Sequence, residues 1–447
     1  MNETAIQSFS ELELSDALQQ ALAVEKYSIP TPIQAAAIPH LLDGRDLLGC
    51  AQTGTGKTAA FALPILQRID EQRRAAMPYA PRALVLAPTR ELAAQIGQSF
   101  SAYGRFIKFR QAIVYGGISQ VPQVRALSRG AHVVVATPGR LLDLMDQDYV
   151  RLDKLEVFVL DEADRMFDMG FLPALRRIVA CLPKQRQSLF FSATMPDEIA
   201  GLADKLLRDP VRVEVVPQST TAERIDQQVL LVTAGAKATV LAKVLEQHAP
   251  ERALVFTRTK RNADRVAMQL VKQGYRAAAI HGNKSQNQRT RTMDDFRRGT
   301  LHILVATDLA ARGIDVDGIS HVINYDLPDE PASYVHRIGR TARAGATGVA
   351  ISFCELSQRG LLRSIERMTN QTLPVDPAFA GPGYVERSVS FHAAEHAGGA
   401  RSPNHRRASK PRKAATSSTS SRSANGSSSR STARKPAERR GKYRRAL

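Results

Sequence analysis

Short runs of aliphatic and β-branched residues, apolar at nearly every position, alternate with helix-length segments along most of this chain. The first set falls at residues 46–50, 83–87, 111–115, 132–136, 157–160 and 188–191. A second set follows at 228–233, 252–256, 276–280, 303–306, 321–325 and 350–354. A strand with one wet face alternates polar and apolar side chains. A strand apolar throughout is buried on both faces, as in a parallel sheet between helix layers. Two such sets predict two α/β domains in tandem, at residues 1–212 and 225–380. The linker is expected at 213–224, where small polar residues show no helical period, and a tail at 381–447.

With 447 residues and 43% hydrophobic side chains, the chain has ample material for two cores, which excludes a wholly disordered or fibrous protein. No apolar run reaches the roughly 18 residues of a membrane-spanning helix. The first residues are acidic and polar, unlike a signal peptide. Cys50, Cys181 and Cys354 stand singly, without disulfide or metal-ligand spacing, so a cytoplasmic protein is expected. The net charge of +19 is lopsided: residues 401–447 hold 15 basic side chains and one acid, Glu438, a balance of +14. With Tyr443 and Leu447 as the only apolar side chains there larger than alanine, that stretch is expected to be disordered. Such a basic tail points to a polyanion, nucleic acid before membrane, since no amphipathic apolar face accompanies the charge.

The run 46–50 is followed at once by Ala51-Gln52-Thr53-Gly54-Thr55-Gly56-Lys57-Thr58 and then by a helical pattern. Glycines let a loop turn its N–H groups toward phosphate oxygens, and the following helix N-terminus adds positive potential. In such a P-loop, Lys57 reaches the β- and γ-phosphates and the Thr58 hydroxyl holds Mg²⁺. Ala51 departs from the usual glycine. Asp161-Glu162-Ala163-Asp164 follows the run 157–160, at the end of a strand where α/β sheets bind ligands. There Asp161 would hold Mg²⁺, and Glu162 would orient and deprotonate the attacking water.

Together these two motifs resemble the DEAD-box ATP-dependent RNA helicases. Further motifs follow in that family's order. They are Pro30-Thr-Pro-Ile-Gln34, Pro88-Thr-Arg-Glu-Leu92, Gly116-Gly117, Thr137-Pro-Gly-Arg140 and Ser192-Ala-Thr194. The second half adds Gln286-Asn-Gln-Arg289, Ala306-Thr-Asp308, Ala311-Arg-Gly-Ile-Asp315 and His336-Arg-Ile-Gly-Arg-Thr-Ala-Arg343. Motif order in the first half and the wording at 220–226 look most like the bacterial RhlE-type branch. The family usually has glycine where Lys26 and Ala342 stand.

The resemblance implies two RecA-like domains that close on ATP and single-stranded RNA, separating short duplexes locally. It assigns adenine to Gln34, whose amide donates and accepts side by side, with Tyr27 stacking on the base and Phe9 behind it. Asp315 would hold the ribose. Arg340 and Arg343, three apart and so on one face of a helix, would reach the γ-phosphate as arginine fingers. Thr89, Arg90, Gly117, Thr137 and Arg140 match RNA-backbone positions of the first domain, and Arg289, Thr307 and Asp308 those of the second. Asp164, Ser192, Thr194 and His336 match the set coupling nucleotide state to RNA grip. Ribosome-assembly and RNA-decay complexes are partners the resemblance allows. Two other readings stay open at this level. One is a DNA translocase with a similar core, against which stand the Gln34 motif and the DEAD spelling. The other is a non-enzymatic RNA chaperone acting through its tail, against which stand Lys57, Asp161, Glu162, Arg340 and Arg343 together.

Overall fold

The computed structural model describes residues 6–51, 54–214, 225–311, 316, 318–342 and 346–376. The first sheet holds β1 (Leu47–Cys50), β2 (Ala83–Leu86), β3 (Gln111–Val114), β4 (Val133–Ala136), β5 (Val157–Leu160), β6 (Gln187–Ser192) and β7 (Val211–Glu214). The second holds β8 (Ile225–Leu231), β9 (Ala253–Phe256), β10 (Ala277–Ile280), β11 (Ile303–Ala306), β12 (His321–Asn324) and β13 (Gly348–Cys354). Their orders are β3-β4-β2-β5-β6-β1-β7 and β10-β11-β9-β12-β13-β8. Every pairing between these strands is parallel.

The reason for the fully apolar runs is visible strand by strand. In β5, Val157 and Val159 enter the core on one side of the sheet, while Phe158 and Leu160 enter the core on the other. The same division separates Ala83 and Val85 from Leu84 and Leu86 in β2. In the second sheet it separates Ala253 and Val255 from Leu254 and Phe256 in β9. Burying a Val, Leu or Phe side chain contributes roughly 1.5–3 kcal/mol, so these alternating faces carry most of the driving force. Helices cover both faces, among them Lys57–Gln72 and Arg90–Tyr103 on the first side.

The structure corrects the expectation at the two outer strands beside the linker. Val211–Glu214 pairs with β1, so residues 213 and 214 belong to the first sheet rather than to the linker. β8 starts at Ile225, three residues before the run expected there. Both strands lie at a sheet edge, and both alternate: Val213 is buried between exposed Arg212 and Glu214, and Ile225 and Gln227 are buried beside exposed Asp226. The remaining linker residues and the tail 377–447 lie outside the described residues.

Because the strands are parallel, their carboxyl ends lie on one edge of each sheet, where α/β proteins bind ligands. The loop from Ala51 follows β1, Pro88 follows β2, Gly116 follows β3, Thr137 follows β4, and Asp161 follows β5. Among the described residues, no helix is long and apolar enough to cross a membrane.

The two residues standing where glycine is expected both take left-handed backbone, Lys26 at φ 60° and Ala342 at φ 55°. Lys26 follows the helix Asp16–Val24 in a Schellman turn, with Lys26 N–H donating to Ala23 O at 3.1 Å and Tyr27 N–H to Leu22 O at 2.9 Å. A side chain in this region costs roughly 1–2 kcal/mol, against about 0.5–1 kcal/mol of extra unfolded-state freedom for glycine. Lys26→Gly and Ala342→Gly should therefore each stabilise the fold by about 1 kcal/mol or slightly less. Denaturant unfolding checks this: both midpoints should rise, and a fall at either would show that the side chain contributes more than its backbone costs.

Candidate functional site

The helix Lys57–Gln72 begins at Gly56, whose backbone is left-handed at φ 93°. A Cβ there would lie 2.4 Å from Gln34 Nε2, so this position admits only glycine while Gln34 keeps its place. Gln34 is buried, and its amide is already engaged at both ends. Oε1 accepts from Thr31 N–H at 2.9 Å, closing the capping box of the helix Pro32–Leu42, and Nε2 donates to Gly56 O at 3.0 Å. One amide hydrogen and one lone pair stay unused by these bonds, a donor and an acceptor side by side. Phe9 and Tyr27 stack with ring centroids 6.0 Å apart and planes 20° apart. Phe9 is buried and Tyr27 is 41% exposed, so one ring supports the other and the outer one offers a face. The Lys57 ammonium donates to Ala51 O at 2.8 Å across the loop, and Ala51 N–H donates to Ser192 O on the neighbouring strand. Gly54, Thr55 and Thr58 continue the loop into the helix, while Gln52 and Thr53 lie outside the described residues.

Next to the loop, β5 delivers the acids. Asp161 is almost fully buried, and its Oδ1 has no hydrogen-bond partner. Burial raises its pKa to about 6; Lys57 opposes the rise and Glu162 adds to it. Glu162 is also buried, holds left-handed backbone at φ 54°, and its Oε2 meets Arg165 Nη1 at 2.7 Å. Asp164 does separate work. Its Oδ2 accepts from Ala193 N–H at 3.2 Å, Thr194 N–H at 3.0 Å and Thr194 Oγ1 at 3.2 Å. Its own N–H donates to Ser192 Oγ at 3.2 Å, and that hydroxyl donates to Thr194 O at 2.7 Å. Asp164, Ser192 and Thr194 therefore form one hydrogen-bonded unit between β5 and β6.

The fourth member of the expected coupling set comes from the second sheet. His336 shares a small cavity with Arg165, Asp308 and Arg340. Burial, then the charges of Arg165 and Arg340, push its pKa below the usual imidazole value. The expectation that Arg340 and Arg343 share a helix face is corrected. The helix Pro331–Ile338 ends before Arg340, with Gly339 as its cap, and Arg343 lies outside the described residues together with Asp315. Arg340 is nonetheless buried, donating through Nε to His336 O at 3.2 Å, so it is no solvated basic face.

Sequence reasoning left Arg337 without a role. It is buried, forks onto Asp308 at 2.5 and 2.6 Å, and donates to Asn324 Oδ1 and Asp326 O. Its guanidinium also lies 4.9 Å from the Phe256 ring centroid. The signal was available: Arg337 stands between His336 and Arg340, and a buried arginine requires a carboxylate, which Asp308 supplies.

A cleft of about 530 Å³ gathers Thr89, Arg90, Thr137 and Arg140 from the first sheet with Arg289 from the second. Gly117 stands beside it with φ 82°, and a Cβ there would lie 1.9 Å from Arg90 Nη1. Across the cleft Arg90 Nη1 donates to Gln286 Oε1 at 3.1 Å, Gln286 Nε2 donates to Glu91 Oε1 at 3.3 Å, and Arg289 Nη2 meets Glu91 at 2.8 Å. Glu91 and Gln286 stand inside quoted motifs but were given no role. Thr307 and Asp308 are not in this cleft; Asp308 is turned into the Arg337 pocket.

Comparison with known proteins matches residues 31–202 to the DEAD/DEAH box helicase family and residues 236–345 to the helicase conserved C-terminal domain. The chain is 43% identical over 366 residues to the DEAD-box ATP-dependent RNA helicase CshA of Bacillus cereus, covering 82% of this chain and 69% of that one. It is 46% identical over 376 residues to the RNA helicase CrhR of Synechocystis, covering 84% and 75%. Among solved structures, Saccharomyces cerevisiae Dbp5 bound to RNA and ADP BeF3 superposes with a TM-score of 0.73 at 33% identity, covering 83% of this chain and 96% of that one. Mss116p bound to single-stranded RNA and AMP-PNP gives 0.75 at 28%, covering 84% and 80%. The RhlE-type assignment rests on sequence wording alone.

The Asp164 network generates a direct test. Asp164→Ala removes the carboxylate, so Arg165 N–H and the three donors of Ala193 and Thr194 lose their acceptor. A buried donor left without its acceptor costs about 1–3 kcal/mol. Amide exchange at Ala193 and Thr194 should accelerate markedly while the amides of β2 keep their protection. Unchanged exchange at both would show that Asp164 does not hold this loop.

Proposed function

Since the chain belongs to the DEAD-box ATP-dependent RNA helicases, an RNA helicase that hydrolyses ATP, we propose that its nucleotide lies between the two sheets, with the following division of labour. Tyr27 and Gln34 read the adenine, and Gly54, Thr55, Gly56 and Lys57 cradle the phosphates. Glu162 accepts the proton of the attacking water. Arg340, with Arg343, answers the charge that develops on the transferred phosphoryl group. Asp315 takes the ribose. The observation that carries this reading is that Arg340 and His336 of the second half share a small cavity with Arg165, the residue that grips Glu162 of the first. Chemistry there depends on both sheets being present.

Mg²⁺ suits the residues at hand. Asp161 Oδ1 is a buried acceptor with no hydrogen-bond partner, and burial disfavours its ionised form. A divalent cation answers both conditions, and Thr58 and Asp161 would hold it. When bound, it neutralises charge on the phosphate oxygens. The protein's own part is to exclude water by burial and to hold the proton acceptor in place.

For RNA, Thr89, Arg90, Gly117, Thr137, Arg140 and Arg289 supply hydroxyls, guanidiniums and close backbone, groups suited to phosphate and sugar rather than to base edges. Binding is then largely blind to sequence. Asp308 instead fixes Arg337.

Two substitutions test the assignment. Glu162→Gln keeps the shape but cannot take a proton, so ATP and RNA binding should persist while RNA-stimulated turnover falls to background. Turnover near the unsubstituted level would remove Glu162 as the base. Gly117→Ala should displace the Arg90 guanidinium, a movable group, and leave the nucleotide loop untouched. RNA titration should show weaker affinity, with ATP affinity unchanged. Equal RNA affinity would take Arg90 and Gly117 out of the interface.

A further inference from the structure

Arg165 has been given no role of its own in the chemistry, yet it touches the carboxylate of the proposed proton acceptor. It lies three residues beyond Glu162, on the helix Ala163–Asp168, and its Nη1 meets Glu162 Oε2 at 2.7 Å. Both side chains are buried, at 7% and 4% exposure, so water does little to weaken their attraction. Glu162 heads that helix without a side-chain capping bond, so its carboxylate is not held by the helix N-terminus. On its other side Arg165 faces residues of the second half of the chain, sharing a cavity with Asp308, His336, Arg337 and Arg340. Arg337 is paired there with Asp308, and Arg340 adds a like charge on that side, which favours the seat of Arg165 on Glu162.

We propose that Arg165 is a positioning residue for Glu162, a clamp whose seating depends on the second sheet standing opposite. The carboxylate is then aimed only while both sheets enclose Arg165, which links the presence of the fingers to the orientation of the base. The proposal rests on the reading of Glu162 as the proton acceptor.

The experiment compares ATP turnover at saturating poly(U) RNA for the unsubstituted chain, Arg165→Gln, Arg165→Lys, Glu162→Gln and the double variant Glu162→Gln/Arg165→Gln. Misplacing a catalytic group, or removing what orients it, costs about 10- to 100-fold in rate. Arg165→Gln should lose that much kcat while its KM for ATP stays within about threefold. Arg165→Lys, which keeps the charge but not the planar fork, should recover part of the loss. The double variant should be no slower than Glu162→Gln alone, since groups acting as one unit are not additive. If Glu162→Gln is inactive and Arg165→Gln turns over within about twofold of normal, the clamp is wrong and the base stands. A raised KM with unchanged kcat, or a loss shared equally by the Lys variant together with lower thermal stability, would also overturn it. Near-normal turnover in Glu162→Gln would remove the base itself, and the clamp with it.

Discussion

Everything in this molecule follows from strands that all run one way. A parallel sheet cannot be closed by hairpins, so each strand is followed by a crossover that lays a helix on one face. Both faces are thereby dry, and polar residues are driven from the strand interiors to the strand ends. The carboxyl ends then become the one place where β1, β2, β3, β4, β5 and β6 can each set down polar side chains beside one another. The phosphate loop, the acids and the hydroxyls of Ser192 and Thr194 meet there for that reason.

Bringing so many charges to a buried edge creates a second requirement, that each find a counter-charge or a directed hydrogen bond. The structure meets it by pairing within and between sheets. Asp164 is satisfied by three backbone amides and a hydroxyl, and Asp308 by the fork of Arg337. Lys237 sits between Asp326 and Glu355, at 2.8 Å from each, and fastens the second sheet in the same way. Asp161 keeps one buried oxygen without a hydrogen-bond partner.

How much of this was legible depended on position in the sheet. Strands in the sheet interiors announce themselves by unbroken apolar runs, since both faces are buried. β7 and the start of β8 do not, because an edge strand keeps one side wet and mixes Arg212, Glu214 and Asp226 among its apolar residues. The motifs gave the site's inventory but not its pairing. The spacing of Arg340 and Arg343 suggested a helix, yet the helix stops at Ile338. Arg165 and Arg337 were hidden because their meaning lies in partners that only folding brings near, Glu162 across one turn and Asp308 across 29 residues. Lys26 and Ala342 show the reverse: their departure from glycine was readable, and the backbone angles say why it matters.

The contact of Arg289 with Glu91 has a consequence for how the cleft greets a nucleic acid. A carboxylate pairs with one of the arginines proposed for phosphate, and Gln286 accepts from Arg90. On the proposed reading a strand enters by exchange, trading an internal acceptor for a phosphate oxygen. Salt weakens the pair that is given up as well as the one that is formed. Each such site therefore contributes less to the ionic-strength dependence of binding than a free cation would, and counting arginines along the cleft overstates the slope.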